Sequence, residues 1–195
     1  MKKLFFILYT GILFSQKILI PMDGAQTDHL KAYGVVHFAI DHGVNVEWLL
    51  NYRGGSFMVE GQDFISRECT LRGVAYQSVN SGEIALIYGE IDQSNMDVVL
   101  LEKSPRIAVY SPPENQPWDD AVTLALTYAE IEYDVIFDDE VFAGALKKYD
   151  WLHLHHEDFT GQYGKFYRNF RNAGWYRQQQ MNFEARAARY GFSSV

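Results

Sequence analysis

The chain has 195 residues, of which 48% are apolar, 15% aromatic and 22% charged, enough apolar surface to drive collapse around a core; disorder over most of its length is excluded. The 25 Asp and Glu outnumber the 17 Lys and Arg, the net charge is −8, and no basic run is long enough to follow a phosphate backbone, which argues against a nucleic-acid partner. This length allows one substantial domain or two half-sized units sharing a sheet.

Residues 1–16, MKKLFFILYTGILFSQ, have the layout of a secretory signal peptide: Lys2 and Lys3, an apolar run from Leu4 to Phe14, then Ser15 and Gln16. The apolar run is shorter than the roughly 20 residues a permanent span needs, and no cysteine follows it to carry a lipid. The expected location is periplasmic or extracellular, with no permanent membrane span.

Residues 17–104 are expected to form a first α/β unit. The apolar run Lys17–Met22 ends at Asp23. A helix is expected over Gln26–His42 and stopped by Gly43, and a strand over Val44–Leu50 that runs into Asn51, Tyr52, Arg53, Gly54 and Gly55. A helix over Gln62–Arg72, a strand over Val74–Val79 and a helix over Gly82–Glu90 follow, and Asp92–Pro105 reads as a boundary.

Residues 105–195 are expected to form the second unit. Its strands are Arg106–Tyr110, Tyr133–Phe137 and Asp150–Leu154. Between the first two lies a proline-rich turn and a helix over Trp118–Ile131, where Trp118, Ala121, Val122, Ala125, Leu126 and Ala129 form an apolar stripe. Pro117, Asp119 and Asp120 suit its first turn. A short helix is expected over Glu140–Lys147, and longer ones over Tyr163–Phe170 and Trp175–Tyr190. Gly191 then reads as the lead-in to a further strand, so the second unit is expected to be truncated at its C-terminus. Alternating strands and helices argue for α/β architecture, with one or more parallel sheets covered by helices.

Cys69 is the only cysteine, so no internal disulfide is expected. It lies four residues from Ile65 on one face of an expected helix, the placement of a core thiol, with no glycine-flanked turn to expose it as a nucleophile.

In parallel sheets ligands bind beyond the carboxyl ends of the strands. That rule selects Asp23, Asp28 and His29 after the first strand, and Asn51, Arg53, Gly54 and Gly55 after the second. It selects Ser111 and Glu114 after Arg106–Tyr110, and Asp138 and Asp139 after Tyr133–Phe137. After Asp150–Leu154 come His155, His156, Glu157 and Asp158. Asp23, Arg53, Gly54, Gly55 and Glu114 are candidate ligand-binding residues: an arginine can grip a carboxylate or phosphate, and paired glycines can turn amides toward an anion. A plain glycine turn is the competing explanation. His155, His156 and Glu157 are candidate catalytic groups, expected to share one rim with Asp23 and Arg53. His153 and His155, two apart on one strand face, are candidate ligands for a divalent metal, although no established zinc spacing is present. Alternatively, His153 packs beside Trp151, and His155 and His156 are polar strand-end residues.

The stretches KILIPMD, DHLKAYG, NYRGGSF, RIAVYSPPENQPWDDAVTLALTYAEIEYDVIFDDEV and WLHLHHEDFTGQYGKFY resemble an exported bacterial family of longer proteins that carries the label asparagine synthetase B. The resemblance covers essentially the whole chain and implies that it corresponds to the N-terminal part of such proteins. The missing C-terminal part, or a second copy, is then the implied protein partner. A glutamine-hydrolysing asparagine synthetase uses an N-terminal cysteine and a Ser-Gly-Gly-Leu-Asp-Ser loop; this chain has Lys2 and no such loop. The second half also resembles, remotely, the class I glutamine amidotransferase fold, a flavodoxin-like layer. Its catalytic Gly-x-Cys-x-Gly elbow is absent, so the resemblance implies the fold and not the chemistry. The expected role is a binding or scaffold module for a small polar ligand. The alternative is a hydrolase using His155, His156 and Glu157 on a small polar or glycan-like substrate.

Overall fold

The structure, a computed structural model, describes residues 16–112, 120–154 and 163–193. Two compact units divide the chain. One runs to Ser104 and takes in Val122–Glu132; the other holds Pro105–Ala121 and Tyr133 onward.

In the first unit, β1 (Lys17–Ile20), β2 (Val46–Leu50), β3 (Phe57–Glu60), β4 (Gln77–Val79) and β5 (Asp97–Leu101) form one sheet in the order β4-β1-β3-β2-β5. Every neighbouring pair is antiparallel, which corrects the expected parallel sheet for this unit. The reversal comes from two strands outside the expected set. β3 follows β2 after a tight turn and runs back beside it, with Trp48 opposite Phe57; β5 occupies the segment read as a boundary. β1 and β2, joined by α1 (His29–Asp41), point the same way with β3 between them. β3 and β4, joined by α2 (Asp63–Arg72), flank β1 in the same manner. Two interleaved split β-α-β units make a ferredoxin-like arrangement, to which α3 (Ser81–Asp92) and β5 are added.

The pattern mimics a parallel sheet because helices cover both faces. Ile18, Ile20, Val46, Phe57 and Val59 pack with Val35 and Ala39 of α1 and Ile65 and Cys69 of α2. Leu19, Leu49 and Met58 face the other way, against Ile87 and Ile91 of α3. Strands buried on both sides read as continuous apolar runs whatever their direction.

The helix ends obey local rules. Asp28 caps α1 by accepting from the Lys31 amide at 3.0 Å, Gly73 ends α2 at φ 70°, and Asn80 with Glu83 forms a capping box on α3. α4 (Ala121–Ala129) ends at the last residue of its apolar stripe, two residues before the expected end at Ile131. It stops because Glu130 turns left-handed, at φ 58°. Lys31 and Arg72 hold the Glu130 carboxylate at 2.5 and 3.4 Å, and Arg72 also donates to the Ala129 carbonyl at 3.1 Å. Gly34 of α1 makes room for that turn: a Cβ there would stand 1.8 Å from the Ala129 carbonyl oxygen.

In the second unit, β6 (Ile107–Tyr110), β7 (Asp134–Ile136) and β8 (Trp151–Leu154) form a parallel sheet in the order β7-β6-β8. The expected helix over Glu140–Lys147 is instead α5 (Asp138–Phe142) and a 3-10 turn over Ala145–Lys148, separated by Gly144 at φ 82°. α6 (Tyr163–Phe170) and α7 (Gly174–Arg189) complete the unit. Its buried apolar residues, among those described, are Ile107, Ala108, Val109, Ile136 and Tyr176. No described helix in either unit is long and apolar enough to cross a membrane.

Candidate functional site

In the first unit β1 and β2 end on the same rim, because the strand between them runs the opposite way. That places Asp23 beside Arg53, with Nε to Oδ2 at 2.7 Å. A second guanidinium nitrogen donates to Gln77 Oε1 at 3.2 Å, from the start of β4. His29 Nε2 lies 3.1 Å from the Met22 carbonyl. The Arg53 hydrogen bond, seconded by the Ala25 amide, holds the Asp23 carboxyl below its ordinary pKa, and the same contact raises that of Arg53. The turn carries backbone strain: Asn51 and Arg53 are left-handed at φ 65° and 45°, next to Gly54 and Gly55 at 82° and 89°. Gly54 has no alternative, since a Cβ would sit 2.4 Å from the Met22 carbonyl oxygen. The Gly55 amide donates to the Tyr52 carbonyl at 3.0 Å. In this arrangement the arginine grips a carboxylate of its own chain.

In the second unit the strand ends carry a different set. Asp138, just past β7, accepts from the Tyr110 hydroxyl at 2.6 Å and from Arg186 of α7 at 3.2 Å. Asp139 pairs with Arg189 at 2.6 Å. Ser111, just past β6, is buried, and its amide donates to the Ile136 carbonyl at 3.0 Å. Asp120, immediately before α4, is buried and meets His153 of β8, with Nε2 to Oδ2 at 3.1 Å. Trp151 is 43% exposed, and the Asp120 carboxylate holds the His153 imidazole.

His155, His156, Glu157 and Glu114 lie outside the described residues, as do Asp158, residues 1–15 and the proline-rich turn from Pro113. Among the described residues no three His, Cys, Asp or Glu side chains converge closely enough to hold a metal ion. Cys69 is fully buried in α2, and burial pushes its thiol pKa up to about 12, leaving it protonated and unreactive at neutral pH.

Two features went unselected in the sequence. One is the Asp120–His153 pair, whose members are 33 residues apart. The other is a polar group on the α3 side of the first sheet. Lys17 Nζ reaches Glu47 Oε1 at 2.8 Å, and the Tyr88 hydroxyl donates to Glu47 Oε2 at 2.6 Å. Burial works against the charge on Lys17, but the bonds to Glu47 and Tyr88 outweigh it and its pKa is raised. Strand alternation carried that second pairing, since Lys17 shares a face with Leu19 and Glu47 shares one with Leu49.

Comparison of the chain with family models, with curated proteins and with solved structures finds no match to any of them.

Proposed function

We propose that the chain is an exported α/β binding module whose second unit is built on a flavodoxin-like, class I amidotransferase-like layer without that layer's cysteine nucleophile. The observation that carries this reading is the parallel order β7-β6-β8 with the Asp120–His153 hydrogen bond linking β8 to the end of the segment that follows β6. In chain order this is a 2-1-3 layer, the strand order with which the doubly wound flavodoxin-like topology also begins; in that topology ligands sit where connections leave the first and third strands in opposite directions. A small polar ligand fits a rim carrying an imidazole and carboxylates better than an apolar one does.

The cysteine chemistry of the amidotransferase fold has no group to perform it: the chain's one cysteine lies in α2 of the first unit, buried and protonated. The glutamine-hydrolysing activity of an asparagine synthetase likewise lacks its N-terminal cysteine, since position 2 is Lys2. Export rests on the layout of residues 1–16. A hydrolase built on His155, His156 and Glu157 would rest on residues outside those described.

The test is a glutaminase assay together with ligand titration of the full chain followed by NMR. No ammonia is expected from glutamine, and native Cys69 is expected to resist iodoacetamide. Small polar ligands are expected to shift the His153 resonances. Ammonia release abolished by Cys69→Ser would overturn the reading. So would His153 resonances that no small polar ligand moves.

A further inference from the structure

Asp120 is a carboxylate and can only accept, so the His153 Nε2 that faces it at 3.1 Å carries the proton. In the tautomer that this contact selects, Nδ1 is the acceptor. Among the described residues Nδ1 has no hydrogen-bond partner and is not sealed from solvent. Asp120 and His153 are both mostly buried, with side chains 10% and 19% exposed, so the ring is clamped in one orientation rather than free to rotate. On the same strand face, two residues earlier, the indole of Trp151 stands exposed without a ring or hydrogen-bond partner among the described residues. Val109, the register partner of His153 on the central strand, is buried.

We propose that Trp151 and His153 form a subsite for a carbohydrate ring. The apolar face of a pyranose stacks on the indole, and one sugar hydroxyl donates to His153 Nδ1, with Asp120 fixing the tautomer. An aromatic platform beside an oriented acceptor suits a neutral polyhydroxy ligand. A carboxylate or phosphate would instead meet the acceptor nitrogen and the Asp120 charge. Asp120 is a positioning residue here, acting through His153. The proposal rests on the binding reading above and narrows its ligand.

The experiment titrates the full chain with trisaccharides of glucose, of galactose and of N-acetylglucosamine, and separately with glutamine, and observes the histidine side chains in long-range proton–nitrogen spectra. In the free protein Nδ1 of His153 is expected to be unprotonated and Nε2 protonated. At least one trisaccharide is expected to shift both the Nδ1 and the Trp151 indole signals. His153→Ala and Trp151→Ala are each expected to weaken that binding roughly tenfold. Asp120→Asn is expected to alter the tautomer signature as well as the affinity, which a merely structural role would not do. Glutamine shifting His153 while no sugar binds would overturn the carbohydrate class and leave the binding reading standing. Sugar binding indifferent to both alanine variants would overturn the subsite. Silence of His153 toward every probe would overturn both.

Discussion

The two units solve the same packing problem differently. The first covers both faces of a five-stranded antiparallel sheet with helices, and its central residues Leu19, Val46, Leu49 and Met58 are at most 1% exposed. The second has three short parallel strands; Val135 and Trp151 on its two edge strands are 56% and 43% exposed, and Tyr176 is the buried residue of α7. Strain in the first unit is concentrated in the turn from Asn51 to Gly55, where its polar contacts are already made within the chain. In the second, His153 keeps a nitrogen without a partner among the described residues. The more deeply buried core and the histidine nitrogen without a partner among the described residues thus belong to different units.

Core truncation should separate the units most clearly. Leu49→Ala removes a side chain enclosed by Leu19, Tyr52, Met58, Val79, Ile87 and Ile91, and a loss of about 2–5 kcal/mol is expected in chemical denaturation. Ile136→Ala, in the thinner core, should fall near the lower end, about 2 kcal/mol. Equal losses would show that the second core is packed as tightly as the first.

Glycine substitution sharpens the contrast at the backbone. Gly144 is left-handed at φ 82° with open space around it, so Gly144→Ala should cost only the left-handed term, about 1–2 kcal/mol. Gly54 has the same φ but a backbone carbonyl 2.4 Å from where a Cβ would stand. Gly54→Ala should therefore cost roughly 1–3 kcal/mol more, as overpacking does. Thermal melts that rank the two substitutions equally would mean that the β1 rim can move aside.

How much of this was legible follows from what a linear pattern contains. α1 was readable from its apolar spacing and α2 from the stop at Gly73, while the Asp28 cap and the Asn80–Glu83 box are local signals that the reading of the sequence left unused. The direction of the strands was not: burial on both faces erases the alternation that marks antiparallel sheets, and the short β3 gave no pattern of its own. Even so, Asp23 and Arg53 meet at one rim, because a strand inserted antiparallel between β1 and β2 leaves their ends on the same side. The end of α4 was illegible because Lys31 and Arg72, distant in sequence, hold the left-handed Glu130 in place of a glycine. The Asp120–His153 pair is a tertiary contact of the same kind. A motif search around the histidine cluster could find its histidine but not its carboxylate.

Acid should act more strongly on the first unit. Asp23 is held below its ordinary pKa by Arg53, Asp28 by the Tyr128 hydroxyl and then the Lys31 amide, and Glu130 by Lys31. In the second unit Glu140 is lowered by the Phe137 amide. A depressed carboxylate contributes stability that is fully present above its unfolded value, 3.8 for Asp and 4.5 for Glu, and is lost as pH falls through the lower folded value. Melting temperature should therefore decline between about pH 5 and pH 3, and Glu130→Gln should flatten the decline. A transition unchanged down to about pH 3 would remove these contacts from the account of the first unit's stability.

The smallest expected effects compare two ion pairs of nearly equal length. Arg72–Glu68 in the first unit is 2.7 Å with side chains 9% and 19% exposed; Arg189–Asp139 in the second is 2.6 Å at 61% and 63%. Distance alone would rank them together. Solvent screening ranks them apart, because water and salt weaken the open pair and its long side chains lose entropy to hold one geometry. Arg72 is also tied to Glu130 and the Ala129 carbonyl, so its guanidinium is already ordered when Glu68 reaches it. A double-mutant cycle on Arg72 and Glu68 should give a coupling of about 1 kcal/mol that persists in salt. The cycle on Arg189 and Asp139 should give under about 0.5 kcal/mol, fading at high ionic strength. Equal couplings would mean that α7 is held to the start of α5 more firmly than its exposure implies.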